Sequence, residues 1–274
     1  MKRIAKLGSA AALTLFIAGC GGGGGGGGPV QGNKVFLDFT DPNATGSAAL
    51  DGAFLDTASG AISAGAGTID LGTGAYSFDG DTGNIDFQAG TGTVSGGGNV
   101  SIFGLQANVA GAVVQPVGAA TQMGFVGQAT GASIANAPAT ATFTGASKVV
   151  INDTTSLWTL DGSSSASIDF IAGSGSASLS NLNGTKADFG GGTSNVTNVA
   201  TIGMNNLNVS GNAFTGNQVT VSSNQLGGLL TGNSSVNVQG GFFGPQALNV
   251  GGVLSVDDTA SGVLSIQGAF TGTR

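Results

Sequence analysis

The chain has 274 residues and a formal net charge of −7, with fourteen acidic side chains against seven basic ones and no His. All fourteen acidic residues are Asp, and the chain has 53 Gly and a single Cys. Without His or Glu, the Ser/His/Asp and Cys/His catalytic arrangements, imidazole metal sites and His-ligated haem are excluded. We therefore expect neither a cofactor nor an enzymatic activity. So much Gly disfavours helices and, with repeated apolar alternation, predicts an all-β protein of short strands and tight turns.

The first twenty residues have the pattern of a targeting segment. Residues 7–17 form an apolar run that is too short to span a bilayer comfortably, and small residues precede Cys20. This resembles a bacterial lipoprotein signal, which implies that residues 1–19 are removed and that Cys20 receives fatty acyl chains such as palmitate. The alternative is an ordinary signal peptide or short anchor with an incidental Cys. A positive start to the segment fits both readings, and its basic residues are Lys2, Arg3 and Lys6.

Residues 20–33 are predicted to be the lipidated Cys and a tether, because eight consecutive Gly follow Cys20 and such runs behave as flexible coils. Removal of residues 1–19 leaves four basic residues against fourteen Asp, a formal charge of −10. That balance argues against nucleic acid and anionic lipid headgroups as partners, since both are bound through Lys and Arg. Lipidation of the sole Cys would also leave no disulfide.

Residues 34–137 are predicted to form a β-rich region, in which short alternating segments are bounded by Gly, Asp, Ser or Thr. Eight of the fourteen Asp lie in this region, against one Lys. The strand candidates are residues 35–39, 53–55, 68–71, 75–78, 84–87 and 99–103.

The segment from residue 79 to residue 86 is a candidate Ca²⁺ site. Hard oxygen ligands are closely spaced in it, but no bidentate Glu follows. The alternative, which the pattern favours, is an Asx-type hairpin turn between strands 76–78 and 85–87. The candidate ligands are Asp79, Asp81, Asn84 and Asp86.

Pro138 marks the predicted start of a second domain, residues 138–274. Antiparallel strands at the spacing seen here make a barrel or a sandwich, and a closed barrel has no exposed edges to protect. The strand candidates are residues 139–145, 156–160, 166–171, 176–182, 197–203, 206–214, 218–222, 234–243, 252–256 and 262–270. We expect the inward face to carry Phe143, Leu160, Ile168, Phe170, Leu179, Val209, Val236, Val238, Leu254, Val256, Leu264, Ile266 and Phe270.

Trp158 is the only Trp and lies in an alternating segment. We expect it to plug one end of the barrel, where its indole N–H would need an acceptor. The alternative is an exposed Trp that anchors a protein ligand.

The last 35 residues contain the most distinctive pattern. Gly244-Pro245 predicts a turn. About one helical turn is expected over residues 246–250, ended by Gly251-Gly252 with positive φ. Asp257-Asp258 is predicted to be a hairpin turn between strands 253–256 and 263–270.

The run Gly-x-Phe-Phe-Gly-Pro-x-Ala-x-x-Val-Gly-Gly at 240–252, followed by Gly-x-Phe-x-Gly at 268–272, resembles the C-terminal signature of the transferrin-binding protein B type barrel of Gram-negative surface lipoproteins. Pro138 before Ala-x-Phe-x-Gly resembles that family's join between handle and barrel. The resemblance implies a C-terminal antiparallel eight-stranded β-barrel, preceded by a smaller β-rich handle-like region. Asn249 stands where the family commonly has Glu, which removes one polar anchor.

What the resemblance implies about function is a non-catalytic, surface-exposed lipoprotein of the outer membrane. Its loops at one barrel end would bind a macromolecule or a nutrient carrier, and an outer-membrane lipoprotein translocator would assist its export. The bilayer itself is a partner through acylated Cys20. A lipid-tethered structural or adhesive β-solenoid is the alternative, although it should show a fixed repeat and none is found.

Overall fold

A computed structural model describes residues 36–226, 234–258 and 264–274 of the chain. Cys20 and the Gly-rich tether therefore lie outside the described residues. The described residues belong to one compact unit. In the described ranges there is one short 3₁₀ helix, Gly131–Asn136, and no helix has the length and apolar character needed to cross a membrane.

Eight strands in chain order form a first closed barrel. Each strand pairs antiparallel with the next, and β1 pairs with β8 to close the ring, with Ala53 opposite Phe125. The region predicted to be a smaller handle is thus itself a closed barrel. Its strands are β1 (Ser47–Asp56), β2 (Ile62–Asp70), β3 (Ala75–Phe78), β4 (Asp81–Asp86), β5 (Thr91–Val94), β6 (Gly98–Gln106), β7 (Val109–Pro116) and β8 (Gln122–Gly127).

The second barrel follows from Thr140 and is closed by the last strand. The ring order is β9, β10, β11, β13, β14, β16, β17, β18, and it closes where Ile266 pairs with Ile151. Two short strands, β12 and β15, pair at its rim with β11 and β13. The strands are β9 (Thr140–Asn152), β10 (Ser156–Asp169), β11 (Ser174–Asp188), β12 (Thr193–Val196), β13 (Thr201–Ser210), β14 (Ala213–Gly216), β15 (Gln218–Ser222), β16 (Ser234–Phe243), β17 (Asn249–Asp258) and β18 (Leu264–Thr273).

This topology confirms the predicted all-β class and the C-terminal eight-stranded antiparallel barrel. It contradicts the β-solenoid alternative, because the strands close into rings rather than stacked coils. Two predicted strands, 156–160 and 166–171, are one strand, since the small residues between them stay paired with β9 from Lys148 to Thr144.

Packing inside the second barrel follows the predicted alternation. All thirteen residues predicted to face inward belong to its core or pack against it, with Phe170 and Val236 half-buried. Phe242 lies at the centre of an aromatic group, with ring centroids 4.9 Å from Phe170, 5.7 Å from Phe214 and 6.1 Å from Phe143. Eight strands leave an interior that side chains can just fill, and here large rings fill it.

The outer faces of the two barrels pack against each other along a seam. Leu55, Met123 and Phe125 of the first barrel contact a set from the second barrel that includes Phe243 and Val253. The rings of Phe125 and Phe243 meet edge to face at 5.6 Å between centroids. Thr271 adds a hydrogen bond, in which its hydroxyl donates to the Gly104 carbonyl at 2.6 Å. The seam holds the barrels together through apolar burial and a few direct polar contacts.

Three local predictions in the C-terminal segment are wrong. Asp257 and Asp258 lie inside β17, paired with Ser265 and Leu264, so they form no turn. Residues 244–247 form a turn in which Gln246 and Ala247 have positive φ, and β17 begins at Asn249, so there is no helical turn over 246–250.

Gly251 and Gly252 are within β17 and not at a positive φ. They are small for a different reason, which is the close approach of aromatic rings. A Cβ at Gly251 would lie 2.8 Å from the Phe125 ring, and one at Gly252 would lie 2.5 Å from Phe270 Cζ.

Candidate functional site

The loops of the molecule gather at two ends, which we call proximal and distal. The proximal end holds Phe36, the first described residue, whose neighbour Leu37 donates its amide to Gln128 Oε1 at 3.0 Å. Asn108, also at this end, contacts the second barrel, because its backbone N–H donates to Asn249 Oδ1 at 3.2 Å. The distal end is formed by loops 153–155 and 189–192 of the second barrel and by loops 57–61 and 117–121 of the first.

The two barrels present their distal loops on the same side. The 57–61 loop lies beside the distal half of β17, because a Cβ at Gly60 would be 2.8 Å from Ser255 Oγ and 3.1 Å from Asp257 Oδ2. Thr57 and Thr121 join the two distal loops of the first barrel, since the Thr57 amide donates to the Thr121 carbonyl at 2.9 Å. A ligand approaching the distal end therefore meets loops from both barrels.

Trp158 plugs the distal end of the second barrel, as predicted. It is 3% exposed, and its Nε1 donates to Asp153 Oδ2 at 3.0 Å. The acceptor comes from the β9–β10 loop, where Thr155 donates its hydroxyl to Asp153 Oδ1 at 2.8 Å. The alternative of an exposed, ligand-anchoring Trp does not hold, because the indole is enclosed.

Hydrogen bonds to Asp153 hold its carboxylate ionised. Burial opposes ionisation, but donors from Trp158, Thr155 and the Ser156 amide outweigh it and lower the pKa of Asp153. Beside this group, Asp188 accepts hydrogen bonds from Lys186 at 2.9 Å and from the Ser156 hydroxyl at 2.8 Å, and these lower the pKa of Asp188. The distal rim is thus a hydrogen-bonded charged frame around a tryptophan plug.

Lys186 completes this frame. It is paired directly opposite Trp158 in the β10–β11 ladder, and its ammonium lies 5.2 Å from the centre of the indole ring. Cation–π attraction of this kind holds a Lys in place over an aromatic face.

Outside the frame, the distal rim carries apolar side chains that face solvent. Phe189 is 60% exposed and Leu157 is 38% exposed. Leu157 pairs with Ala187 across β10 and β11, and the Phe189 amide donates to the Thr155 carbonyl at 2.8 Å. Alternation therefore places Leu157 and Ala187 on the same outer face, and the exposed Phe189 follows in the turn directly after β11; we call these three residues the distal patch.

The distal patch was missed at the sequence level, although a signal was present. In Ser156-Leu157-Trp158-Thr159-Leu160, the inward positions are Trp158 and Leu160, so Leu157 is an apolar residue on the polar face. Contiguous exposed apolar patches mark protein contact sites, whereas exposed apolar side chains that are scattered singly are ordinary.

The Ca²⁺ candidates are not brought together. Asp79 and Gly80 form a two-residue hairpin turn with φ of 49° and 89°, and Phe78 pairs with Asp81 across it. The Asn84 amide donates to the Thr73 carbonyl at 2.9 Å, and Asp86 Oδ1 accepts the Gln88 and Ala89 amides in the next turn.

Strand alternation also places Asp81 on the opposite face of β4 from Asn84 and Asp86. The hairpin alternative is therefore the reading that the structure supports. Within the described ranges, no three His, Cys, Asp or Glu side chains converge as a metal site would require.

Asn249 keeps a polar anchor that the sequence analysis expected to be lost. It is fully buried and accepts the Asn108 amide across the seam. Its Nδ2 has no hydrogen-bond partner among the described residues. The Asn249 side chain therefore links the two barrels through its Oδ1 atom alone.

Comparison with known proteins decides the family. The model of a family described as the C-lobe and N-lobe beta barrels of Tf-binding protein B matches residues 117–274, more than half of the chain. The chain belongs to this family. The match includes the end of the first barrel and the whole of the second. No curated protein sequence is significantly similar to the chain.

Solved structures of transferrin-binding protein B share the fold. One from Haemophilus parasuis has a TM-score of 0.54 and 17% identity, covering 82% of this chain and 44% of that one. Another, from serogroup B Neisseria meningitidis, has a TM-score of 0.50 and 18% identity, covering 82% of this chain and 43% of that one. The chain spans less than half the length of these relatives, so the likeness shows the fold and not the function.

Proposed function

We propose that the protein is a non-catalytic lipoprotein of the outer membrane, exposed on the cell surface, that binds a protein ligand such as a nutrient carrier. Membership of the Tf-binding protein B barrel family supports this proposal. The observation that carries it is the distal patch, where Leu157 and Phe189 face solvent beside the charged frame.

The proposed anchor is acylated Cys20, joined to the barrels through the tether of residues 21–33. Two or more acyl chains hold a protein firmly on a bilayer, while a single chain does not. The described chain starts at the proximal end with Phe36, and the distal patch belongs to the other end. Attachment at the proximal end would therefore leave the distal patch free to meet a ligand. Export with help from an outer-membrane lipoprotein translocator is part of the same proposal.

Exposed apolar side chains are suited to protein binding because covering them with a partner removes apolar surface from water. Aromatic anchors such as Phe189 commonly contribute most of the binding energy of a protein interface. The charged frame around Trp158 would then supply polar contacts at the edge, where they favour correct orientation more than affinity.

The experiment compares four forms of the full chain on whole cells: wild type, Leu157→Asp, Phe189→Asp and Ile171→Asp. Ile171 is 83% exposed in the β10–β11 turn at the proximal end of the second barrel, which makes it a matched apolar control. The first probe is iron-loaded serum transferrin, because the structural relatives are named for transferrin binding. In a second experiment the cells are incubated with whole serum, and the proteins that they retain are identified.

We expect wild type and Ile171→Asp to retain the same protein, and both distal variants to lose most of it. Equal retention by all four forms, or no retained protein at all, would refute a binding role for the distal patch. Protease added to intact cells provides the test of location, since a protein exposed on the surface is cleaved and a periplasmic one is protected.

A further inference from the structure

The two barrels are filled differently at their distal ends. The second is plugged by Trp158, whereas the first has a cavity of about 50 Å³ opening at its distal mouth. At the proximal end the first barrel is closed, because Phe39 is 2% exposed and stacks on Phe87 with 5.1 Å between ring centroids. The cavity is therefore a pocket with a single mouth, on the same side as the distal patch.

The walls of this pocket are apolar and partly aromatic. Phe54, Tyr76 and Phe78 line it, and the rings of Phe54 and Phe78 meet edge to face at 5.6 Å. Buried Leu50 and Val126 lie deeper along the wall. Such walls attract the methylene groups of a ligand, and aromatic faces also attract a cation.

One carboxylate stands at the mouth. Asp81 lines the pocket at the start of β4, and its side chain has no hydrogen-bond partner among the described residues. Burial and the nearby negative charge of Asp81 raise the pKa of Tyr76, which places the two groups in one electrostatic environment. Tyr76 itself donates to the Thr93 carbonyl at 3.3 Å, so its hydroxyl does not compensate the carboxylate.

No basic residue of the first barrel could neutralise this mouth. The sequence from Val35 to Ser147 contains no Lys, Arg or His, while the strands and turns of the first barrel carry six Asp. In the second barrel, by contrast, Lys148 pairs with Asp161 and Lys186 with Asp188. A cationic group of a ligand would therefore meet no competing basic side chain of the first barrel at this mouth.

We propose that the distal mouth of the first barrel binds a lysine side chain of the protein ligand, with its methylenes against Phe54, Tyr76 and Phe78 and its ammonium beside Asp81. This inference rests on the proposed function, since it assigns a basic face to the ligand that the distal patch binds.

The size of the pocket excludes larger groups. A cavity volume of about 10–15 Å³ holds one water molecule. The cavity of about 50 Å³ in the first barrel therefore holds only a few non-hydrogen atoms. Pockets for drug-sized ligands or organic cofactors are several times larger. A lysine side chain laid across the mouth can cover Phe54 and Phe78 with its stem while its ammonium stays near water beside Asp81, which pairs with Phe78.

Tyr76 makes the pocket directly observable, because it is the only Tyr in the chain. The experiment uses the full chain purified from membranes in detergent and labelled with ¹³C at tyrosine. Nα-acetyl-lysine methylamide is titrated while the Tyr76 ring resonances are followed. The reference compound is the Nε-acetylated form, which keeps the stem and removes the charge.

Two variants separate the pocket from the general charge of the barrel. Asp81→Asn removes the carboxylate at the mouth, and Asp79→Asn removes an equal charge from the adjacent hairpin turn, outside the pocket lining. Both variants should keep the wild-type circular dichroism spectrum and thermal midpoint before ligand is added, which shows that the barrel has folded.

We expect saturable shifts of Tyr76 with the lysine compound in wild type and Asp79→Asn, and affinity about fivefold weaker in Asp81→Asn, as for an ion pair near solvent. Equal shifts from the acetylated compound, equal weakening in both variants, or no shift would overturn the proposal.

The two proposals fail in distinguishable ways. If no protein is retained through the distal patch, the lysine titration still reports on the pocket alone. If a protein is retained but the titration shows no binding, the lysine pocket falls and the distal patch stands.

Discussion

The contact between Gly251 and Phe125 across the seam predicts a steric effect that can be measured. In Gly251→Ala the new Cβ would lie 2.8 Å from Phe125 Cγ and Cδ2 and 3.1 Å from Phe125 Cβ. Those distances are too short for carbon atoms, so the ring must move. Phe125 is 3% exposed and its edge-to-face contact with Phe243 limits the directions open to it.

Gly251 is inside β17 and has no positive φ, so backbone strain does not contribute. Forcing one methyl group into a packed seam costs about 1–3 kcal/mol. For a folded unit of this size, each kcal/mol lowers the thermal midpoint by about 2–4 °C, which gives an expected decrease of roughly 2–12 °C.

Thermal denaturation followed by circular dichroism measures this decrease. The control is Gly190→Ala, because Gly190 is in a distal loop where an added Cβ meets nothing within 4 Å. Phe125→Leu combined with Gly251→Ala should cost less than the sum of the single changes, since the smaller side chain relieves the clash. A midpoint for Gly251→Ala equal to that of Gly190→Ala, or strict additivity in the double variant, would refute the steric reasoning.

Asp153→Asn should reduce the acid sensitivity of the fold. The pKa of Asp153 is lowered in the folded chain, so its contribution is complete above the ordinary Asp pKa of about 3.9 and is lost as the pH falls through the lower folded value. Denaturation midpoints of wild type between pH 5 and pH 2 should therefore fall more steeply than those of the variant; equal slopes would contradict this. Asn249→Leu should destabilise the protein by about 1–3 kcal/mol in urea denaturation, because the buried Asn108 amide loses its acceptor. An unchanged midpoint would show that the bond is dispensable. Cys20→Ser should abolish fatty-acid labelling and release the protein from membranes, and labelling that persists would place the anchor elsewhere.

Much of the second barrel could be predicted from the sequence because its determinants are local. Alternating apolar residues identify the inward face of a strand wherever one face is buried, and all thirteen assigned positions belong to that core or pack against it. The need of Trp158 for an acceptor could also be foreseen, since a buried indole N–H is rarely left unpaired. The identity of the acceptor, Asp153, depended on how the β9–β10 loop folds over the barrel end.

Tertiary structure decided the features that depend on distant partners. Gly251 was read as a helix end, although it is small because Phe125 of the other barrel lies against it, and no periodicity within one strand shows a partner so far away in the chain. The closure of the first barrel also depends on pairing between distant strands, whose Gly-rich sequences leave their register weakly specified. The seam and the pocket beside Asp81 follow from that closure. The sequence by itself determined that this chain forms strands, which side of many strands faces inward, and that lipid anchoring is expected at Cys20. The barrel surfaces available to a ligand were decided only when the strands closed.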